Sequence, residues 1–200
     1  EMCRTRENAE HEKIEVRCMN GLNAMLKKRR SIRSYKPHPV PKEEVDAMLE
    51  ALMLSPTSKG IASRSVVVVD EEKMIARLAE CKAHGSGFLK EAPLAIVIAA
   101  DTGKAAAWIE DCSIAAITLQ YAAEERGLGS CWIQVRERRS PDGESASAYI
   151  RRELGLPPHI EVEAVVAVGY PAETLPPRSP ESLDRDSVRY NGYENAYFRS

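Results

Sequence analysis

Residues 94–100 read Leu-Ala-Ile-Val-Ile-Ala-Ala (LAIVIAA), apolar at every position. Side chains alternate between the two faces of a strand, so a strand of this composition needs cover on both. It belongs inside a sheet with helices on either side. Working outward, residues 66–69 (VVVV) before Asp70 form a second β-branched run of the same kind. Residues 130–135 (SCWIQV) give a third strand, and residues 162–168 (VEAVVAV), closed by Gly169-Tyr170-Pro171, a fourth.

Helical patterns separate these runs. Pro37, Pro39 and Pro41 force an extended connection, after which Val45, Met48, Leu49, Leu52 and Met53 fall at the spacing of an amphipathic helix over 42–54 that stops at Pro56. Met74, Ile75 and Leu78 mark another. Residues 105–126 are the longest candidate, with Trp108, Cys112, Ala115, Ala116, Leu119, Ala122 and Ala123 on one side and Ile114, Ile117 and Tyr121 on another. A helix apolar nearly all round belongs in a core or a subunit interface. Gly127 and Gly129 end it. Residues 144–154 give one more helix, and residues 81–93, with two glycines and no period, a loop of the kind that often covers a site. No internal repeat is present, and Gly127-Leu128-Gly129 lacks the third glycine of a dinucleotide-binding turn. The expected architecture is an α+β domain with a helix-flanked central sheet over residues 19–178.

Outside that domain, residues 1–18 are highly charged and read as an extension, expected as a helix lying on a partner subunit. Asn20 is a plausible cap for a helix carrying Leu22, Met25 and Leu26. Residues 179–200 have little core of their own and are expected to wrap the partner subunit.

Two hundred residues with 44% hydrophobic side chains suit one globular core. A net charge of -2 offers no global field for nucleic acid or an anionic membrane, and no apolar run reaches a membrane span. The expectation is a soluble, cytoplasmic protein. Five scattered cysteines, at 3, 18, 81, 112 and 131, and four isolated histidines give neither a disulfide framework nor a metal-binding pattern. No metal is expected.

Against this background residues 27–35 (KKRRSIRSY) stand out, with five cations in seven residues. Basic residues near a helix C-terminus are ordinarily solvated and favour the dipole. Yet Arg29, Arg30 and Arg33 flank the hydroxyl of Ser31, a mix of fork donors and a small O–H that suits a single phosphate. An RNA-binding patch is the weaker alternative, since no aromatic platform accompanies the run. Residues 55–60 (SPTSKG) are either an ordinary helix stop or a loop of amides and hydroxyls beside a ligand. Gly129-Ser130-Cys131-Trp132 mimics the nucleophile region of papain-like proteases, but only His159 follows, so Cys131 reads as packing. No side chain stands out as acid, base or nucleophile, which suits a protein whose cofactor does the chemistry.

Five segments in register, RRSIRSY at 29–35, SPTS at 55–58, APLAIVI at 92–98, GLGSCWI at 127–133 and VGYPAE at 168–173, resemble the nitroreductase family of FMN-dependent oxidoreductases. The resemblance covers roughly residues 19–177. It implies a homodimer of α+β subunits, each with a mixed or antiparallel central sheet, and FMN at the interface. It further implies NADH or NADPH as co-substrate and a small-molecule electron acceptor such as a nitroaromatic or quinone. Carried over, Arg29, Arg30, Ser31 and Arg33 would hold the flavin phosphate and ribityl chain. Pro56, Thr57, Ser58 and Gly60 would lie along the ring from the partner subunit, and Trp132, Ile133 and Gln134 would pass its other side. Arg178 would complete the phosphate grip, with Arg189 a poorer candidate, and the helix 105–126 would be central to the dimer. Where many members read N-x-Q-P-W, this chain has Gly60-Ile61-Ala62-Ser63-Arg64. A different flavin reaction, such as reductive dehalogenation or oxidation by oxygen, or a flavin carrier without turnover, are the alternatives.

Overall fold

The computed structural model describes residues 21–198. The expectations for residues 1–18 and Asn20 lie outside the described residues. Two compact units are present, residues 29–175 and, separately, residues 21–28 with 176–198.

The larger unit is built on a four-stranded antiparallel sheet. Its strands are β1 (Arg64–Val69), β2 (Leu94–Asp101), β3 (Gly129–Gln134) and β4 (Ile160–Gly169), in the order β1-β2-β4-β3. Of the mixed and antiparallel arrangements expected, every strand pair here is antiparallel. β2 is buried from Leu94 to Ala100, as its composition requires. Leu94, Ile96, Ile98 and Ala100 face one core; Ala95, Val97 and Ala99 face the other. Two helices cover the first face. α2 (Lys42–Leu54) supplies Met48 and Leu52, and α4 (Trp108–Glu125) supplies Cys112, Ala115, Ala116 and Leu119. The second face takes α3 (Glu72–Leu78) through Ile75 and Leu78, and α5 (Ala146–Leu154) through Ala146 and Ile150.

The helix ends follow local chemistry. α5 starts at Ser145, whose hydroxyl accepts from the Ala148 N–H, and stops at Gly155 in the left-handed region (φ 65°). α4 closes in the same way: Gly127 (φ 70°) donates to Glu124 O and Leu128 to Ala123 O, the paired bonds of a Schellman motif. α4 begins at Trp108, three residues later than its apolar pattern predicts: residues 106–107 form a turn, and no side chain caps the helix. Its outer side is only partly covered within one chain, with Ile114 38% exposed. The loop 81–93 holds a short 3-10 turn, Gly87–Glu91, that buries Leu89.

The smaller unit carries α1 (Leu22–Lys28) and a hairpin in which Arg189 bridges Ala196, with Tyr197 and Phe198 edge-on at 5.1 Å. The Arg178 N–H donates to Lys27 O.

Residues 31–36 run along the sheet's end. Ser31 bridges Ser130, Tyr35 bridges Pro171, and Lys36 N–H donates to Tyr170 O at 2.8 Å. This close approach needs glycines opposite. A Cβ on Gly129 would stand 2.8 Å from Ile32, and one on Gly169 would stand 2.6 Å from Pro93 and 3.0 Å from the Tyr35 ring. The proline ring cannot rotate away. Gly169→Ala is therefore expected to cost about 1–3 kcal/mol, seen as a lower urea midpoint at unchanged slope. A wild-type midpoint would contradict this seam.

Candidate active site

The basic segment is held by its backbone, leaving its side chains available. Glu173 Oε1 accepts from the N–H groups of Arg33 (2.6 Å) and Ser34 (3.1 Å). The Tyr35 hydroxyl donates to Ile32 O at 2.5 Å, and burial raises its phenol. Arg33 donates to Ser31 O at 3.3 Å and its guanidinium lies 5.7 Å from the Phe88 ring, itself in the loop 81–93.

Four donors converge where this segment meets β3. Burial pushes the Cys131 thiol up, opposed by Arg33, by the Ser31 hydrogen bond, and by Arg29 and Lys82. Ser31 is the one of these that touches the sulfur; the three cations act on it as charges around the start of β3. Burial lowers the Lys82 ammonium, with the neighbouring Arg138 adding to it, and the Lys82 Nζ donates to Gln134 O at 3.2 Å. Among the described residues no carboxylate side chain forms an ion pair with Arg29 or Arg33. Three cations and a hydroxyl without a paired acid suit one phosphate dianion. Arg30 is half-buried on the same segment.

The other expected residues fall elsewhere. Gln134 and Trp132 lie on one face of β3, the indole Nε1 donating to Gln134 Oε1 at 2.9 Å. Ile133 points to the opposite face and is buried among Val97, Ala95 and Val165, so only its backbone is available to a ligand. The segment after α2 is tied to α4: the Ser58 N–H donates to Asp111 Oδ1 at 2.8 Å, with Asp111 buried and its Oδ2 unpartnered. Pro56 and Gly60 are exposed and Thr57 is half-buried. Lys59 (φ 54°) and Gly60 (φ 67°) are both left-handed, a reason for glycine at 60. Arg64 turns back to α2, donating to Ser55 Oγ (2.5 Å), Leu52 O and Ser55 O, so it serves as that helix's C-terminal cation. Arg178 and Arg189 belong to the smaller unit, where the Arg189 guanidinium stands 5.3 Å over Tyr193.

Sequence reasoning missed Lys82, Glu173 and Asp111. Lys82 lay within a loop picked out as a possible cover, and Glu173 closes the VGYPAE segment, but nothing in the sequence tied either to residues 31–34. A cavity of about 960 Å³ also opens between Pro37, Pro39, α2 and the end of β1. It shares Tyr35 with the segment but none of the converging donors, so it is a separate feature. Among the described residues no group of three or more His, Cys, Asp or Glu is placed to hold a metal, and no helix is long and apolar enough to cross a membrane.

A family model described as the Nitroreductase family matches residues 26–86 and 80–170. An FMN-dependent nitroreductase from Clostridium difficile superposes with a TM-score of 0.83 at 47% identity, over 84% of this chain and 98% of that one. A protein of Methanothermobacter thermautotrophicus, provisionally named NADH dehydrogenase/NAD(P)H nitroreductase, is 31% identical over 90% of this chain and 94% of its own length. The FMN reductase [NAD(P)H] of Bacillus subtilis is 26% identical over 86% of this chain and 75% of its own.

Burial holds the described thiols protonated, Cys112 most of all, its thiol being pushed up to about 12. The thiolate, absent well below a raised pKa, is the reactive form. At pH 8, iodoacetamide should spare Cys81, Cys112 and Cys131 in the folded protein and label them in urea, read by peptide mass. Labelling of folded Cys131 at a free thiol's rate would revive the nucleophile.

Proposed function

Because the chain belongs to the nitroreductase family, we propose that it is an FMN-dependent oxidoreductase that carries reducing equivalents from NADH or NADPH to an electrophilic small molecule such as a nitroaromatic or quinone. The observation that carries this reading is the cationic surrounding of the start of β3: Arg29, Arg33 and the Ser31 hydroxyl on a segment whose backbone Glu173 holds, with Lys82 bonded to Gln134 O on the same strand. Such a donor set fits the phosphate of FMN. Held by Arg29, Arg30, Ser31 and Arg33, FMN would supply the two-electron chemistry, with N5 as the atom through which a hydride would pass.

The protein's part is binding, orientation and access. Arg29 and Arg33 neutralise the phosphate, with the Ser31 hydroxyl as a further donor and Arg30 alongside. Glu173 fixes the backbone from which these side chains project, so little conformational freedom is lost on binding. Lys82, held to Gln134 O, brings a cation toward the same strand, where it favours negative charge on a bound flavin. Trp132 and Gln134 form the wall beside the ring, and Ile133 contributes its backbone.

Of Pro56, Thr57, Ser58 and Gly60, Ser58 is tied to Asp111 on α4, the helix with the half-covered outer side, which supports a role of this segment toward the flavin of a second subunit. The half-covered outer side of α4 supports the same homodimer, since Ile114, Ile117 and Tyr121 leave apolar surface that an interface would bury.

Purified protein should show a flavin absorption spectrum, as isolated or after FMN addition and gel filtration, that bleaches with NADH or NADPH and returns with a quinone. A colourless protein after that treatment refutes the reading, and a flavin that binds without bleaching leaves only a carrier. Arg33→Ala should weaken FMN binding by about tenfold to a hundredfold, the worth of one hydrogen bond to a charged group. Unchanged affinity would remove Arg33 from the phosphate site.

A further inference from the structure

A carboxylate sits inside the sheet next to Gln134, and nothing above gives it a role. In the β2–β4 pairing Ile98 faces Ala164 and Ala99 faces Val162, leaving Glu163 as the extra residue of a β-bulge. Bulges re-aim side chains. Here Val135 and Arg136 both donate backbone N–H to Glu163 O at 3.1 Å, and the Glu163 side chain is buried, with the residue 3% exposed. Gln134 Nε2 donates to Glu163 Oε1 at 3.4 Å and to Arg136 O at 3.2 Å, while Gln134 Oε1 accepts from the Trp132 indole. Arg136 Nε forms an ion pair with Glu163 Oε2 at 3.0 Å, though without hydrogen-bond alignment.

The donor and acceptor types make this chain directional. An indole N–H only donates, whereas a carboxylate and a backbone carbonyl only accept. The Gln134 amide therefore has one orientation that satisfies its neighbours, oxygen toward Trp132 and nitrogen toward Glu163. Removing the carboxylate leaves Arg136 O as the nitrogen's partner and loosens the hold on the indole. A buried carboxylate that served only packing would be poor design, because an apolar side chain of that size fills the space without desolvating charge.

We propose that Glu163 is a positioning residue that acts through the Gln134 amide to fix the Trp132 indole in the wall of the flavin site. The flavin half of this statement rests on the function proposed above; the Glu163–Gln134–Trp132 relay does not. Burial raises the Glu163 carboxyl against the pull of Gln134 and Arg136, with Glu137 adding to the rise and Cys112 facing the same carboxylate from α4. Arg136 also pairs with Glu137 at 2.6 Å, so it keeps a counter-ion when Glu163 is replaced.

Trp108 and Trp132 are the chain's two tryptophans, so Trp108→Phe leaves Trp132 as a single reporter. In that background Glu163→Leu, which preserves bulk, and Glu163→Gln, which can still accept from Gln134, are compared without FMN and then with it. The Leu variant should keep the thermal midpoint but lose much of the near-UV circular dichroism of Trp132 and weaken FMN binding about fivefold, the scale of one hydrogen bond. The Gln variant should restore both. An unaltered Trp132 signal in a folded Leu variant overturns the relay. An altered signal with unchanged FMN affinity keeps the relay but overturns its placement at the flavin wall. Failure of the parent protein to bind FMN would instead overturn the function, leaving the apo-protein test of the relay intact.

Discussion

β2 has no polar face, and the rest of the larger unit answers that constraint. A strand buried on both sides from Leu94 to Ala100 must have a neighbour at each edge to use its N–H and C=O groups, and a helical layer over each face. β1 and β4 take the edges, α2 and α4 one face, α3 and α5 the other. Fully burying one Ile or Val side chain is worth about 1.5–3 kcal/mol, so Ile96, Val97 and Ile98 together outweigh any surface ion pair in the chain. Ala100 lies on the face that α4 covers with Cys112, Ala115 and Ala116, whereas Ala95 and Ala99 face α3 and α5.

That arrangement leaves β3 as an outer strand, and its start is where the chain becomes useful. An exposed strand edge has open hydrogen-bonding groups, and here residues 31–36 occupy part of them. The fit is possible because Gly129 and Gly169 present no Cβ to Ile32, Pro93 and Tyr35. Backbone bonds to Glu173, Ser130, Tyr170 and Ala172 hold the segment, so its fixing does not require an ion pair from Arg29 or Arg33.

Much of this was legible from composition. LAIVIAA announced a buried strand, and the spacing from Val45 to Met53 announced α2. Less was legible where contacts depend on the sheet's pairing. Alternation along β3 separates Ile133 from Trp132 and Gln134, yet a three-residue segment taken whole does not display which members share a face. Lys82 and Glu173 are 91 positions apart and become neighbours of one segment through strand order alone. Arg64 looked like a cation in an aromatic's place; its contacts with Ser55 and Leu52 give it a structural task that no linear pattern contains.

The bulge at Glu163 illustrates why register matters more than residue type at such a site. In uninterrupted pairing the alternation VEAVVAV would assign Glu163 and Val165 to one face and Val162 and Ala164 to the other. The extra residue breaks that parity: Val162 and Val165 both enter the core under α3 and α5, and Glu163 is turned toward Gln134, Arg136 and Cys112. A one-residue shift thus converts what would be a charge among Val97 and Ala99 into a partner for an amide. The same step explains how a carboxylate persists 3% exposed in the middle of a mostly apolar strand. Its oxygens face the few groups on that side of the sheet able to answer them, and the polar line from Trp132 to Arg136 exists because β4 carries one residue more than β2 requires.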